Sequence, residues 1–172
     1  MRGARPIPRA TGAVEMRAPR YRTVVVACDF SPASEAAIDL VIAMGEQLDQ
    51  PRVVLTHAFF VPIDLEALSV IGVSPVFETV ATEGRQRLRA CRQRVEACGL
   101  VCEVVAARGE PAAVILDVAR SHDADLIVMG TTGRGAMSRM LLGSQAERVL
   151  RSAECPVIVT HAGDASARSS SL

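Results

Sequence analysis

The sequence predicts an α/β protein built on an open, doubly wound, five-stranded parallel sheet covered by helices on both faces, and three observations carry that prediction. Short β-branched apolar runs alternate with stretches of helical periodicity between Tyr21 and His161, the pattern of successive βαβ units. Apolar residues make up 49% of the chain but aromatic ones only 3%, so the core must be aliphatic, the palette of a buried parallel sheet. A length of 172 residues suits one domain of ordinary size that needs neither disulfide nor metal to hold it.

Residues 1–20 carry five arginines, three prolines and one glutamate without apolar periodicity, and are expected to be a disordered extension. They lack the apolar stretch of a secretory signal, and their prolines oppose the amphipathic helix of a transit peptide; Met16 would serve equally as a start. The domain is expected over 21–162. Thr23 to Cys28 is its first strand, followed by a helix from Ser31 or Pro32 to Leu48, with a serine able to cap and a proline at the first helical position. Ala36, Ala37, Leu40, Val41, Met44 and Leu48 give this helix an apolar face.

Arg52 to Ala58 is the second strand, and the partly apolar connection that follows, as far as Pro75, has no firm assignment beyond a pocket wall or a partner surface. From Val76 to Cys98 the positions Phe77, Val80, Gly84, Leu88, Cys91, Val95 and Cys98 recur at helical steps, and Gly99 ends that helix. Val101 to Ala107 is the third strand, Glu110 to Ser121 a helix, and Leu126 to Met129 the fourth strand. Ser144 to Ser152 is the last helix and Val157 to Thr160 the fifth strand, before a small, polar tail over 163–172 expected to be disordered.

Lysine plus arginine and aspartate plus glutamate each number 19, so bulk charge draws the chain neither to nucleic acid nor to an anionic membrane. Arg85, Arg87, Arg89, Arg92 and Arg94 fall on the outer face of the long helix without interleaved aromatics, the composition of a solvated face. No apolar run reaches the ~18 residues of a membrane span. Five cysteines, without a CxxC pair or a Cys/His cluster at zinc spacing, read as reduced thiols in a cytoplasmic protein.

On a doubly wound sheet, ligands sit beyond the carboxyl ends of strands where the strand order reverses. Two strand ends stand out there: Asp29 after the first strand, and the stretch GTTGRGAMSRMLLGS, Gly130 to Ser144, after the fourth. If those strands are neighbours, a carboxylate able to bind ribose or base faces glycines whose backbone N–H groups can approach phosphate. Asp29 suits a turn or helix cap equally well. Ser144, Gln145, Ala146 and Glu147 also spell a capping box, so the serine alone does not separate cap from phosphate ligand.

Better known motifs are missing. There is no GxxxxGK[ST], and Gly133 to Ser138 gives only GxGxxS, short of a dinucleotide fingerprint. His57, His122 and His161 are scattered, His57 at the end of the second strand, and neither GxSxG nor HExxH occurs.

Gly130, Gly133, Gly143 and Ser144 together resemble the G-x2-G-x9-G-[ST] nucleotide-binding signature of the universal stress protein family. VVVACDFS, LTHA, ARGEPAAVILDVA, DLIVMG and LLGSQAERVLRSAECPVIVT resemble family landmarks in the same order. The resemblance implies strand order 3-2-1-4-5 and an ATP site, with Mg²⁺ or Mn²⁺ on the phosphates. It places Ala27 and Asp29 at the adenosine, Ala58 at the adenine, Met129 and Gly130 beside the ribose, and Gly133, Gly143 and Ser144 at the phosphates. Gln145 and Ala146 follow along the helix start, where Ala146 departs from members that carry a second hydroxyl. It also implies a homodimer through Val157–Thr160 and a nucleotide-dependent stress-response sensor or switch with an unknown downstream protein. No residue is assigned as a hydrolytic base: Asp29 belongs to the nucleoside end, and Arg134 and Arg139 read as solvated loop residues. Slow ATP hydrolysis and a nucleotide-independent dimeric scaffold or chaperone are the alternative functions.

Overall fold

A computed structural model describes residues 21–59, 74–131 and 142–162. The expectations for residues 1–20 and 163–172, for the 60–73 connection, for Gly133, Arg134 and Arg139, and for the side chains of Phe77 and Val80 lie outside the described residues. In chain order the elements are β1 (Thr23–Ala27), α1 (Pro32–Ala43), β2 (Arg52–Phe59), α2 (Ser74–Ala97), β3 (Cys102–Arg108), α3 (Pro111–Ser121), β4 (Leu126–Gly130), α4 (Ser144–Ser152) and β5 (Val157–Thr160). The strands form one parallel sheet in the order β3-β2-β1-β4-β5, as the resemblance implied.

β1 lies at the centre, with Val25 paired to Val54 of β2 on one side and to Ile127 of β4 on the other. Side chains alternate across the strands, so each strand feeds two cores. Val24, Val26 and Cys28 join Val53, Leu55 and Val128 beneath Ile38 and Val41 of α1 and Leu88 and Val95 of α2. On the other face Val25, Ala27, Val54, Ile127 and Met129 pack against Val114, Ile115 and Val118 of α3 and Val149 of α4. Burial on both faces explains why the strands read as continuous apolar runs rather than alternating ones.

Some boundaries and one burial assignment need correction. α1 ends at Ala43 and not at Leu48, because Gly45 turns the chain: its N–H donates to Ile42 O at 3.2 Å and the backbone passes through positive φ at Asp49 and Gln50. Leu48 still reaches the core from that turn. β1 ends at Ala27, although the Cys28 N–H extends the ladder to Thr56 O at 2.8 Å. In α2 the stripe of Gly84, Leu88, Cys91 and Val95 is buried but Cys98 is exposed, since the helix unwinds at Gly99, which takes φ +83°. The arginine face of α2 is exposed and partly ion-paired: Arg92 to Glu96, Arg94 to Glu35 and Asp39.

Serine capping of α1 is realised. Ser31 Oγ accepts from Ser34 N–H at 3.2 Å, with Pro32 at the first helical position. Among the described residues no helix is long and apolar enough to cross a membrane.

The end of β4 is locked beneath this first turn of α1. A Cβ on Gly130 would lie 2.8 Å from Ala33 Cβ and 3.0 Å from the Ser34 nitrogen. Neither obstacle is the end of a flexible side chain, so one added methyl must move backbone. Gly130→Ala is therefore expected to lower the unfolding free energy by about 1–3 kcal/mol in urea titration, the usual cost of overpacking a close approach. An unchanged urea midpoint would show that α1 and β4 can part without cost.

Candidate functional site

The carboxyl ends of β1, β2 and β4 and the first turns of α3 and α4 enclose a cavity of about 460 Å³. That lies within the range of small-molecule sites. Ala27, Asp29, Ala58, Met129, Gly130, Gly143, Ser144, Gln145 and Ala146 all line it, so every sequence-predicted site residue that is described lies on one cavity. Gly133 is outside the described residues. The pairing of β1 with β4 brings Asp29 and the Gly130 segment to the same crevice from distant parts of the chain.

Asp29 makes the turn that its spacing allows and also borders the cavity. Its Oδ1 accepts from Ser31 N–H at 3.0 Å, an Asx turn that shapes the entry into α1, while the residue lines the cavity. Phe30 between them adopts φ +63°, an uncommon backbone for an aromatic residue. Its ring sits 4.7 Å from that of His57, and the Arg87 guanidinium lies 5.3 Å from the Phe30 centroid. The strand-end histidine is structural in this arrangement: His57 Nδ1 is bonded to the Cys28 carbonyl at 2.7 Å, tying β2 to the β1 end.

Two helices open onto the cavity, and their first turns differ. At α3, Glu110 accepts from Ala113 N–H at 3.1 Å, and Gln145 Oε1 accepts from Ala112 N–H at 3.0 Å. Gln145 therefore spends its side-chain carbonyl on the neighbouring helix and can offer a ligand its backbone N–H. Glu110 also takes Arg148 Nη1 at 2.8 Å, which fastens α3 to α4.

At α4 the capping box does not form. Gly143, extended at φ −66° and ψ 151°, is the N-cap and supplies no side-chain bond, while Ser144 is already helical. The start is set one residue early because Gly143 N–H donates to Thr131 O at 2.7 Å, pinning the chain where it enters the helix. Glu147 consequently pairs with Arg151 at 2.6 Å rather than turning back to Ser144. The first N–H groups of a helix have no intrahelical acceptor, and here no cap side chain takes their place. They carry the positive end of the helix dipole. Ala146 is buried, its methyl in the α3/α4 core, so it too can contribute only backbone.

Two residues escaped sequence reasoning. Thr131 is buried at the cavity wall, and its hydroxyl lies 3.2 Å from Thr160 O and 3.0 Å from His161 Nδ1. With the Gly143 bond it ties together β4, β5 and α4. Thr56, paired with Ala27 across β1 and β2, also lines the cavity, and its buried Oγ1 has no hydrogen-bond partner. A buried hydroxyl without a partner is costly and calls for an explanation. The signal in the sequence was the polar pair Thr56 and His57 interrupting the apolar residues of RVVLTHAF, which strand periodicity alone could not aim.

The profile of the Universal stress protein family matches residues 20–161. The chain is 32% identical to the universal stress protein MJ0531 of Methanocaldococcus jannaschii, a likeness covering 81% of each. Among solved structures it resembles universal stress protein UspA of Lactobacillus plantarum with a TM-score of 0.71 and 26% identity, covering 83% of this chain and 99% of that one. It also resembles a universal stress protein crystallised in complex with cAMP, with a TM-score of 0.58 and 25% identity, over 84% of this chain and 99% of the other.

Proposed function

The chain belongs to the universal stress protein family, and on that premise we propose that its cavity binds ATP and that occupancy acts as a stress-response switch read by a protein partner in the cytoplasm. The observation that carries the proposal is the uncapped first turn of α4 sharing one cavity with Asp29 and the unpartnered Thr56 hydroxyl. Phosphates come to the α4 backbone N–H groups and the Ser144 hydroxyl, because the α3 terminus already has acceptors in Glu110 and Gln145. The nucleoside lies toward β1 and β2, with Asp29, Met129 and Gly130 at the ribose, and Ala27 and Ala58 as the apolar bed of the base. The base edge satisfies Thr56 Oγ1. Gly133 belongs with the phosphates by its place in the signature. The relative crystallised with cAMP is support from another adenine nucleotide.

Asp29 is the sole carboxylate among the described lining residues and already accepts a bond from Ser31. Mg²⁺ or Mn²⁺ would therefore be carried mainly by phosphate oxygens and water. The reading assigns binding, not turnover. Sustained release of ADP would replace it with slow hydrolysis, and failure of the wild type to bind any adenine nucleotide would leave a nucleotide-independent scaffold.

Thr56→Val separates the ligand role of the hydroxyl from a structural one. Removing an orphaned buried hydroxyl should raise folding stability by roughly 1 kcal/mol, yet it deletes a partner of the base and should weaken ATP several-fold in equilibrium dialysis. Unchanged ATP affinity would remove Thr56 from the site, and no ATP binding by the wild type would contradict the proposal itself.

The second half of the proposal is a homodimer through β5. Ile127 N–H donates to Pro156 O and Thr131 N–H to Thr160 O, so alternate residues of β5 turn their backbone groups toward β4. Val157 and Val159 turn theirs outward from the sheet edge, where a second copy of the strand can pair. Val159→Pro removes an outward donor and leaves the β4 ladder intact. It is expected to convert a dimer into a folded monomer in light scattering; a dimer of undiminished stability would place the interface elsewhere.

A further inference from the structure

A second constellation lies on the opposite face of the sheet from the cavity. Cys28 at the end of β1 turns its side chain into the α1/α2 core, whereas its neighbour Ala27 belongs to the α3/α4 face. There Cys28 meets Cys91 of α2 and Glu35 in the first turn of α1, and the two sulfurs and a carboxylate oxygen all lie within 4.8 Å of one another. We propose that Cys28, Cys91 and Glu35 form a binding site for a thiophilic divalent cation, Zn²⁺ in particular, with the fourth position open to water.

The donor set suits that ion: two thiolates and one carboxylate are established zinc ligands, and three protein ligands with an open fourth position is a common zinc arrangement. Zn–S distances of ~2.3 Å and Zn–O distances of ~2.0 Å in a tetrahedron set ligand atoms roughly 3.5–3.8 Å apart. Cys91 Sγ and Glu35 Oε1 are already 3.9 Å apart, so closing the triad needs side-chain shifts of the order of 1 Å or less. The ligands come from three different elements, each anchored in the same core, which gives the site rigidity. The cysteines are 3% and 5% exposed and Glu35 is half-buried, leaving the carboxylate side as the route of entry.

The surroundings are also those of a supported site. Glu35 Oε2 accepts from Arg94 Nη1 at 2.5 Å, and Arg94 Nη2 donates to Asp39 Oδ1 at 2.5 Å. This chain orients the carboxylate, as outer partners of metal ligands do. Two thiolates and a carboxylate exceed the charge of a divalent cation by one, and the Arg94 guanidinium, shared between Glu35 and Asp39, offsets part of that excess. Cysteine binds a metal ion as its thiolate. Metal uptake thus releases thiol protons and tightens as pH rises. Cys28 also borders the nucleotide cavity, but its side chain belongs to the opposite core, and the test of the metal site needs no nucleotide.

The test uses the full chain, freed of metal and held reduced by a non-thiol reductant, titrated with Co²⁺ and then Zn²⁺. Expected is one Co²⁺ per chain with thiolate-to-metal charge-transfer absorption and the visible bands of tetrahedral cobalt, both displaced by Zn²⁺. Cys28→Ser and Cys91→Ser should each abolish the charge transfer, while Cys98→Ser, at an exposed thiol, should keep it. Since a core cysteine variant could fail to fold, Glu35→Gln provides the independent arm: it should weaken Co²⁺ at least tenfold while the melting temperature of the metal-free protein stays near that of the wild type. The site is overturned by absence of charge transfer in the reduced wild type, by its survival in folded Cys28→Ser and Cys91→Ser, or by unchanged affinity in Glu35→Gln.

Discussion

The parallel ladder between β1 and β4 is the contact on which the rest of the molecule depends. It pairs Val24, Val25 and Val26 with Leu126, Ile127 and Val128, strands separated by two intervening βα units. Both faces of this pair are buried, so a slip of one residue would exchange every side chain between the two cores. The register also sets Asp29 and Gly130 side by side at the point where the strand order reverses. Gly130 fixes how closely the two strand ends approach, since the first turn of α1 rests directly on it. The glycine that begins the signature thus has a packing duty in the protein without ligand, alongside any contact with a nucleotide.

From that ladder outward, the cavity is organised by which helix termini are satisfied and which are not. α1 is capped by Ser31, and α3 by Glu110 together with Gln145 from the neighbouring helix. α4 alone among these begins on a glycine with no side-chain cap. Thr131 imposes that start by accepting the Gly143 N–H, and Thr131 is held in turn by Thr160. The edge strand is therefore mechanically continuous with the terminus assigned to the phosphates. A nucleotide that tightens α4 would be felt at β5, the edge proposed above for pairing with a second copy.

Strand identity and helix identity were legible because the hydrophobic periods are long and consistent, and the family resemblance supplied the strand order that periodicity cannot. Limits arose where tertiary contacts decide. Gly45 stopped α1 short of Leu48, although Leu48 reaches the core by another route. The S-x-x-E spelling at Ser144 suggested a capping box, but the Thr131 carbonyl moved the cap to Gly143 and Arg151 claimed Glu147. Thr56 and Thr131 belong to no motif, and their meaning depends on having, or lacking, partners from distant segments. The cysteines were invisible as a group for the same reason: Cys28 and Cys91 have no spacing motif and meet only because β1 and α2 share a core.

The central claim is that phosphates are held by the backbone of the α4 first turn. Hydrogen–deuterium exchange of the amides of Ser144, Gln145 and Ala146, with and without saturating ATP, addresses it directly. Amides without an intrahelical acceptor exchange readily, so ATP is predicted to slow these three markedly and to leave the first turn of α3, already satisfied, nearly unchanged. Saturation with ATP that leaves the α4 amides exchanging as before, or protects α3 instead, would contradict the account.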